Sequence, residues 1–528
     1  MARLTTSLTR REFLYRAAAV GGTALMLDTM NAWGMGIASK VSAPPTLSGS
    51  GKGKKVVILG AGVAGLAAAF ELRKLGYTVQ VLEARSFVGG RCQSARKGFS
   101  LQELGGEAQQ CSFDDGHYIN HGPWRIPLDH QSTLHYTRQF DIPLEVMVNE
   151  NDHAFVYLED GGPLSGKRLR GAQIKADMRG HVAELLAKSV QGRELDARLG
   201  ADDQMLLLDY LRREGALEQG DLAYKGRNGR GYAVNPGAGL MPGAGTPSDP
   251  LAFRDLLAAK VGKVYSAVQD FPMHATMFQP VGGMDQIPRA FARRLGGAIR
   301  YNAEVQRIGQ NADKVTIDIR DAASGKLSSV QADYCLCTVP LSVLRMIDTD
   351  FSDRMKAAIK AVPYAPVGKI GLQMRRRFWE EDEQIYGGHV LTDLKGINTI
   401  SLPSNGWQQK KGVLLGYYNY SLDAIEVSAL TPQERTEFAL SAGEKIFPAY
   451  RSSFESAFSV AWHRVKYSLG GWAEWSDDAR SNAYPVLLEG EGRVLLAGEH
   501  LSYLTGWQAG AIESSWQQVE RLHRRATA

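Results

Sequence analysis

The chain has 528 residues, 44% of them hydrophobic and 22% charged, with a formal charge of +5. That composition excludes wholesale disorder and leaves room for two or three domains of about 100–200 residues each. Four cysteines exclude a disulfide scaffold, the evenly mixed charge excludes a concentrated basic face for nucleic acid, and no apolar run of about 18 residues beyond the first forty positions predicts a membrane span. At the N-terminus, Thr9-Arg10-Arg11-Glu12-Phe13-Leu14 precedes the glycine-broken apolar stretch Ala17–Leu27. Paired arginines before a short apolar segment look like a twin-arginine export signal. This sets residues 1–50 apart as signal and linker and predicts a periplasmic or secreted protein, carried by the export machinery already folded around a bulky ligand. Lys55–Leu59 then reads as a buried strand, Gly60-Ala61-Gly62-Val63-Ala64-Gly65 as a glycine turn, Leu66–Leu72 as a helix, and Tyr77–Leu82 as a second strand. Gly60 permits the tight turn, Gly62 lets backbone N–H groups reach a pyrophosphate at the helix N-terminus, and Gly65 lets helix and strand pack closely. Glu83, followed by Ala84, ends the second strand 21 residues after Gly62, where an acid accepts ribose hydroxyls and disfavours a 2′-phosphate.

Gly89-Gly90-Arg91 follows, small residues for close approach and an arginine for a phosphate. This extended pattern resembles FAD-binding proteins of the amine-oxidase superfamily, and Leu104-Gly105-Gly106-Glu107 resembles a further loop near the flavin. The matches continue in family order: Phe278–Asp285 as the return to the flavin domain, Asn302–Val305 as the strand contacting adenine near Val305, Cys335-Leu336-Cys337-Thr338-Val339-Pro340 as a strand ending at the cofactor, and Ala497-Gly498-Glu499-His500 with Thr505–Ile512 as the second flavin contact. The CxC pair has no second ligand pair, so it reads as core cysteines and no metal is expected. The chain is thus identified as similar to flavin-dependent L-amino-acid oxidases. The resemblance implies an α/β fold: a Rossmann-like FAD domain (51–150, 276–345, 475–528) interleaved with a substrate domain of mixed sheet plus helices (151–275, 346–474). It implies FAD contacts at Gly60, Gly62, Ala64, Gly65, Glu83, Ala84, Gly90, Arg91, Gly122, Pro123, Trp124, Arg125, Val305, Trp462, Gly498, Glu499, Gly506, Trp507, Ala509 and Ile512. A homodimer is a family-level expectation.

Within the resemblance, Arg125 in Gly122-Pro123-Trp124-Arg125 matches the arginine holding a substrate carboxylate, which suits an amino acid and not a simple amine. Tyr417 resembles the tyrosine bonding the same carboxylate. Tyr418 beside it leaves that position open by one residue, because strand alternation sends the two to opposite faces. Lys369 looks like the lysine that holds a water against the flavin and offers positive charge to reduced oxygen. Trp472 stands where monoamine oxidases carry a flavin-attaching cysteine, which implies FAD held without a covalent bond. Trp472 and Trp507 then wall the substrate pocket, and the Gly506 carbonyl is a candidate partner for the amine. The implied activity is hydride transfer from the α-carbon of an L-amino acid to the flavin, reoxidation by dioxygen to hydrogen peroxide, and hydrolysis to a 2-oxo acid and ammonia. The rivals are an amino-acid 2-monooxygenase, an amine or polyamine oxidase, and a flavin-bound scaffold without turnover. His121 and His500 read as packed or solvent-facing rather than as bases. Of the remaining features, Arg375-Arg376-Arg377 reads as a solvated strand end, 166–218 as helical with an apolar stripe at Val182, Leu185, Leu186 and Val190, and 226–250 as a long Gly/Pro-rich loop.

Overall fold

The computed structural model describes residues 41–195, 197–226, 228–262 and 273–528. The Arg10-Arg11 pattern therefore lies outside the described residues. In chain order the elements used below are β1 (Lys55–Leu59), α1 (Val63–Lys74), β2 (Thr78–Leu82), β3 (Phe155–Tyr157), β4 (Arg168–Arg170), α2 (Gly171–Gln191), α3 (Ala201–Glu214), β5 (Ile299–Arg300), β6 (Ala303–Gln310), β7 (Val315–Asp321), β8 (Leu327–Ala332), β9 (Tyr334–Cys337), β10 (Val367–Met374), β11 (Gly388–Thr392), β12 (Thr399–Leu402), β13 (Gly412–Tyr420), β14 (Phe454–Ala461), β15 (Val494–Leu496) and α4 (Gln508–Thr527).

The nucleotide half is a parallel sheet in the order β5-β2-β1-β9-β15. Its strands are covered on both faces, which explains their continuous apolar runs. Val57 and Leu59 share one core with Cys335, Cys337, Val494 and Leu496. Val56 and Ile58 share the other with Leu336, Leu495 and the α1 residues Leu66 to Ala69. The CxC spacing is therefore strand alternation into one core, and all four cysteines are free and buried. The core shared with α1 also takes Phe291, Trp516 and Tyr136, so α1 lies between the sheet and aromatic packing from three segments. The core of Val57, Leu59 and the two cysteines continues through Phe351, Met355, Ile359 and Val362. The boundary expected at residue 345 falls inside that core, because the segment after it packs under the sheet before the chain leaves for β10. A four-stranded sheet of β8, β7, β6 and Asp348–Thr349 flanks this half.

The second half is a seven-stranded sheet in the order β14-β10-β13-β12-β11-β3-β4. All eight residues of β10 are buried. Its register against β13 pairs Lys369 with Tyr418 and Ile370 with Tyr417. Arg376 is partly exposed, but Arg377 is buried, paired with Glu380 at 2.5 Å and set over Trp379. The triplet is thus a solvated strand end at its first two residues only; the third is drawn in by an acid and an indole.

The helical part departs from the expected stripe. On α2 the buried positions are Gly171, Ile174, Asp177, Gly180, Ala183, Ala187 and Val190; of the expected stripe, Val190 is buried and Leu186 packs against the core, while Val182 and Leu185 are 48% and 54% exposed. Small residues face inward because α3 and Tyr224 come close: a Cβ at Gly180 would lie 2.3 Å from the Tyr224 ring. Asp177 is inside because Arg230 meets it with two hydrogen bonds of 2.8 Å, a paired burial of charge. The 226–250 loop contains a short antiparallel pair, Tyr232–Val234 with Thr246–Pro247, anchored by that ion pair.

Candidate active site

The two halves enclose a cavity of about 800 Å³ that runs from the glycine turn to the seven-stranded sheet. At one end Gly60, Gly62 and Ala64 line it together with Glu83, Ala84, Gly90 and Arg91. The first turn of α1 has no side-chain cap, so its backbone N–H groups are available to an anion. A Cβ on Gly62 would meet nothing within 4 Å; it would project into the space a pyrophosphate needs. Gly65 does not line the cavity. A Cβ there would lie 2.1 Å from the Gly60 carbonyl oxygen, so its absence lets α1 sit on the strand. Glu83 accepts hydrogen bonds from the backbone N–H groups of Ala61 (2.7 Å) and Arg85 (2.9 Å), and its carboxylate still faces the cavity. Val305 lines the same end from β6, beside Glu304, which Lys466 and Tyr467 hold at 3.0 and 2.9 Å.

In the middle, Arg91 pairs with Glu499 at 2.8 Å and donates to the Gly471 carbonyl at 2.7 Å. Glu499 also accepts from the Gly506 N–H at 3.1 Å, so Glu499 ties the β15 turn to the loop before α4. Gly498, Gly506 and Trp507 line the cavity, as do Gln508 and Ala511 of α4. Ala509 and Ile512, expected at the cofactor, are fully buried and outside the lining. Ile512 belongs to the α1 core, because the face of α4 that meets the sheet is one turn-step away from the face at the cavity. The N-terminus of α4 likewise has no side-chain cap, and Gln508 Oε1 is buried without a partner among the described residues. An orphaned acceptor, two uncapped helix starts and an open space at Gly62 fit a bound flavin dinucleotide.

At the far end the cavity is walled by Gly122, Pro123, Trp124, Arg125, Lys369, Tyr418, Tyr420, Trp462, Trp472 and Trp507. Lys369 Nζ is buried, donates to the Gly122 carbonyl at 2.6 Å, and sits 4.4 Å from the Tyr418 ring centre and 5.1 Å from that of Trp124. Burial, then the neighbouring Arg125 charge, pushes its ammonium well below the usual lysine range. Trp462 donates to the His121 carbonyl at 2.7 Å and its indole stacks on the His121 ring. Burial lowers His121 to about 3 and His500 to about 4, so both are neutral, packed histidines.

Tyr417 does not reach this site. It is 1% exposed, in the core of the seven-stranded sheet with Phe447 and Tyr450. Tyr418 lines the cavity instead, because it is the residue that faces Lys369 across the β10–β13 register. Burial pushes its phenol up to about 12.

Arg125 donates to Asn149 Oδ1 at 2.5 Å and lies 3.4 Å from His389 Nε2. Burial depresses its guanidinium, and no carboxylate pairs with it among the described residues. The acids that line the cavity are Glu83, Glu304 and Glu499, and each is engaged elsewhere, as given above. Asn149, His389 and Tyr420 were not legible as site residues. Asn149 directly follows the strand Leu144–Val148 and His389 lies on β11, both apart from Arg125 in sequence and without a local motif.

The fold and the cavity together define a flavin dinucleotide protein with a cationic pocket for a small molecule. The chain belongs to the family described as flavin containing amine oxidoreductase, whose model matches residues 63–523, and its cofactor is FAD. Among curated relatives it is 28% identical to the Bacillus subtilis (strain 168) protein YobN over 90% of this chain and 96% of that one. It is 27% identical to the L-amino-acid oxidase of Siganus canaliculatus, covering 89% of this chain and 85% of that one. Among solved structures, the cyclohexylamine oxidase from Brevibacterium oxydans IH-35A shares the fold with a TM-score of 0.59 at 16% identity, covering 89% of this chain and 99% of that one.

Proposed function

We propose that this protein oxidises L-amino acids to 2-oxo acids, ammonia and hydrogen peroxide. The observation that carries the reading is Arg125: a half-buried guanidinium at the cavity wall with no acidic partner among the described residues. A desolvated charge without a counter-ion is costly, and a substrate carboxylate supplies the missing partner with two parallel hydrogen bonds. The names of the curated relatives support the same substrate class. FAD, when bound, supplies the two-electron acceptor for the α-C–H bond and passes those electrons to dioxygen. The chain's own residues bind and orient. Arg125 fixes the carboxylate, Tyr418 hydrogen-bonds beside it in the role expected of Tyr417, and Trp472 and Trp507 exclude water and confine the side chain. The Gly506 carbonyl is the candidate acceptor for the substrate amine. Lys369 holds the Gly122 segment at its carbonyl, and its Nζ favours reduction of oxygen only in the protonated form, which burial and Arg125 disfavour in the resting site. Trp472 offers no thiol, which supports non-covalent FAD. No unengaged acid stands near Arg125 among the described residues, which supports uncharged over basic side chains. The Arg10-Arg11 pattern supports export to the periplasm or beyond, tested by mutating both arginines to lysine and following the protein's location.

The test is anaerobic mixing of the holoprotein with the twenty L-amino acids and a few amines, followed by air. Flavin bleaching by amino acids and one peroxide per turnover is expected. An amide product with little free peroxide establishes the monooxygenase, bleaching by amines alone removes the role of Arg125, and no bleaching leaves a non-catalytic flavoprotein.

A further inference from the structure

Behind Arg125 the structure holds a short polar chain that the reaction itself does not require. Arg125 donates to Asn149 Oδ1 at 2.5 Å; His389 Nε2 lies 3.2 Å from the same oxygen; His389 Nδ1 lies 3.0 Å from Ser401 Oγ. Asn149, His389 and Ser401 are all buried, at 1%, 8% and 4% exposure. The His389 ring is also 4.9 Å from Trp124, whose ring in turn lies under the Arg125 guanidinium at 5.1 Å. Every group that holds Arg125 from behind is thus uncharged. The usual way to anchor a buried arginine is a carboxylate, and this chain does so repeatedly: Arg230 on Asp177, Arg435 on Glu103, Arg377 on Glu380. Arg125, half-buried at the far end of the cavity, is held without one among the described residues.

We propose that Asn149 and His389 are positioning residues that fix the Arg125 guanidinium without neutralising it, so that its full charge is reserved for the substrate carboxylate. The inference rests on the proposed role of Arg125. An amide oxygen accepts one N–H and sets the direction of the planar fork, and the imidazole holds that oxygen in turn. A carboxylate at the same place would hold the guanidinium equally well but would compete with the ligand for its charge. His389 meets the same requirement, since burial and then the adjacent Arg125 lower it to about 3 and leave it neutral wherever an oxidase is assayed.

The experiment compares Asn149→Asp with Asn149→Ala as purified holoproteins of equal flavin content. Benzoate is the carboxylate probe, with binding read from its perturbation of the visible flavin spectrum. Asn149→Asp is expected to weaken benzoate at least tenfold and Asn149→Ala less than Asn149→Asp. With the amino acid that reduces the wild type fastest, the half-saturating concentration should rise in parallel, while the limiting rate of flavin reduction stays within threefold. Should Asn149→Asp not retain FAD, His389→Glu places a carboxylate at the second neighbour of Arg125, with His389→Gln as its neutral control. Aspartate no worse than alanine (or glutamate no worse than glutamine), or a fall in limiting rate equal to the loss of affinity, overturns the inference while the wild type still binds benzoate. A wild type that binds no benzoate, and an Arg125→Met variant with unchanged amino-acid saturation, overturn the role of Arg125 itself.

Discussion

At the scale of single residues the site is decided by which neighbours a charge or a phenol has. Tyr417 and Tyr418 are chemically alike and adjacent, yet one is packed among Phe447 and Tyr450 and the other lines the cavity. Tyr418→Phe is therefore expected to raise the half-saturating amino-acid concentration about ten- to a hundredfold, as loss of one hydrogen bond to a charged group costs about 1.5–3 kcal/mol. Tyr417→Phe is expected to leave it unchanged; steady-state kinetics of the pair checks both. The buried histidines give a pH prediction. His121 and His389 are lowered to about 3 from 6.5, so between those values the unfolded chain binds protons that the fold does not. Stability then rises with pH through this window and is lost as pH falls below 6.5, by about 2 kcal/mol per histidine at pH 5. Thermal unfolding of wild type and His389→Gln between pH 7.5 and pH 5 checks this; the variant should lose less on acidification.

Among elements, the β1–turn–α1 unit separates packing from binding within one loop. At Gly65 a new Cβ meets the Gly60 carbonyl oxygen at 2.1 Å, and at Gly62 it meets nothing. Gly65→Ala is expected to destabilise the protein by about 1–3 kcal/mol through overpacking. Gly62→Ala should leave the apoprotein's unfolding midpoint unchanged and weaken FAD. Denaturant unfolding and flavin titration distinguish the two losses. These roles were legible because strand, glycine turn, helix and terminal acid are contiguous. The α2 stripe was not. Periodicity favoured Val182 and Leu185, but the inward face is set by what packs there: Tyr224, which demands a glycine, and Arg230, which demands an acid.

The whole molecule places a two-domain cavity between sheets built from distant segments. The loop at Glu103 is tied to the helix Pro432–Gly443 by a two-pronged ion pair with Arg435 at 2.9 and 2.7 Å, both side chains about 2–3% exposed. Glu103 also accepts from the Ala461 N–H at 2.7 Å at the end of β14. Removing one partner leaves an uncompensated buried charge, so Glu103→Gln is expected to cost about 3–5 kcal/mol. Thermal unfolding of the holoprotein with flavin fluorescence as the probe measures it, and a loss under 1 kcal/mol would remove the pair from the interface's stability.

The nucleotide cradle, the flavin family and the segment around Arg125 were determined by the sequence itself, because each depends on backbone geometry or side-chain chemistry within a few consecutive residues. Which of two adjacent tyrosines faces the cavity, which end of the arginine triplet is buried, and which face of α4 lines the cavity were decided by the tertiary structure alone. Each turns on strand register or helix rotation against a partner far away in the chain. Arg125's uncharged anchorage belongs to the second kind: Asn149 and His389 are 24 and 264 residues from it, and only folding brings an amide and an imidazole to where an acid would have cancelled its charge.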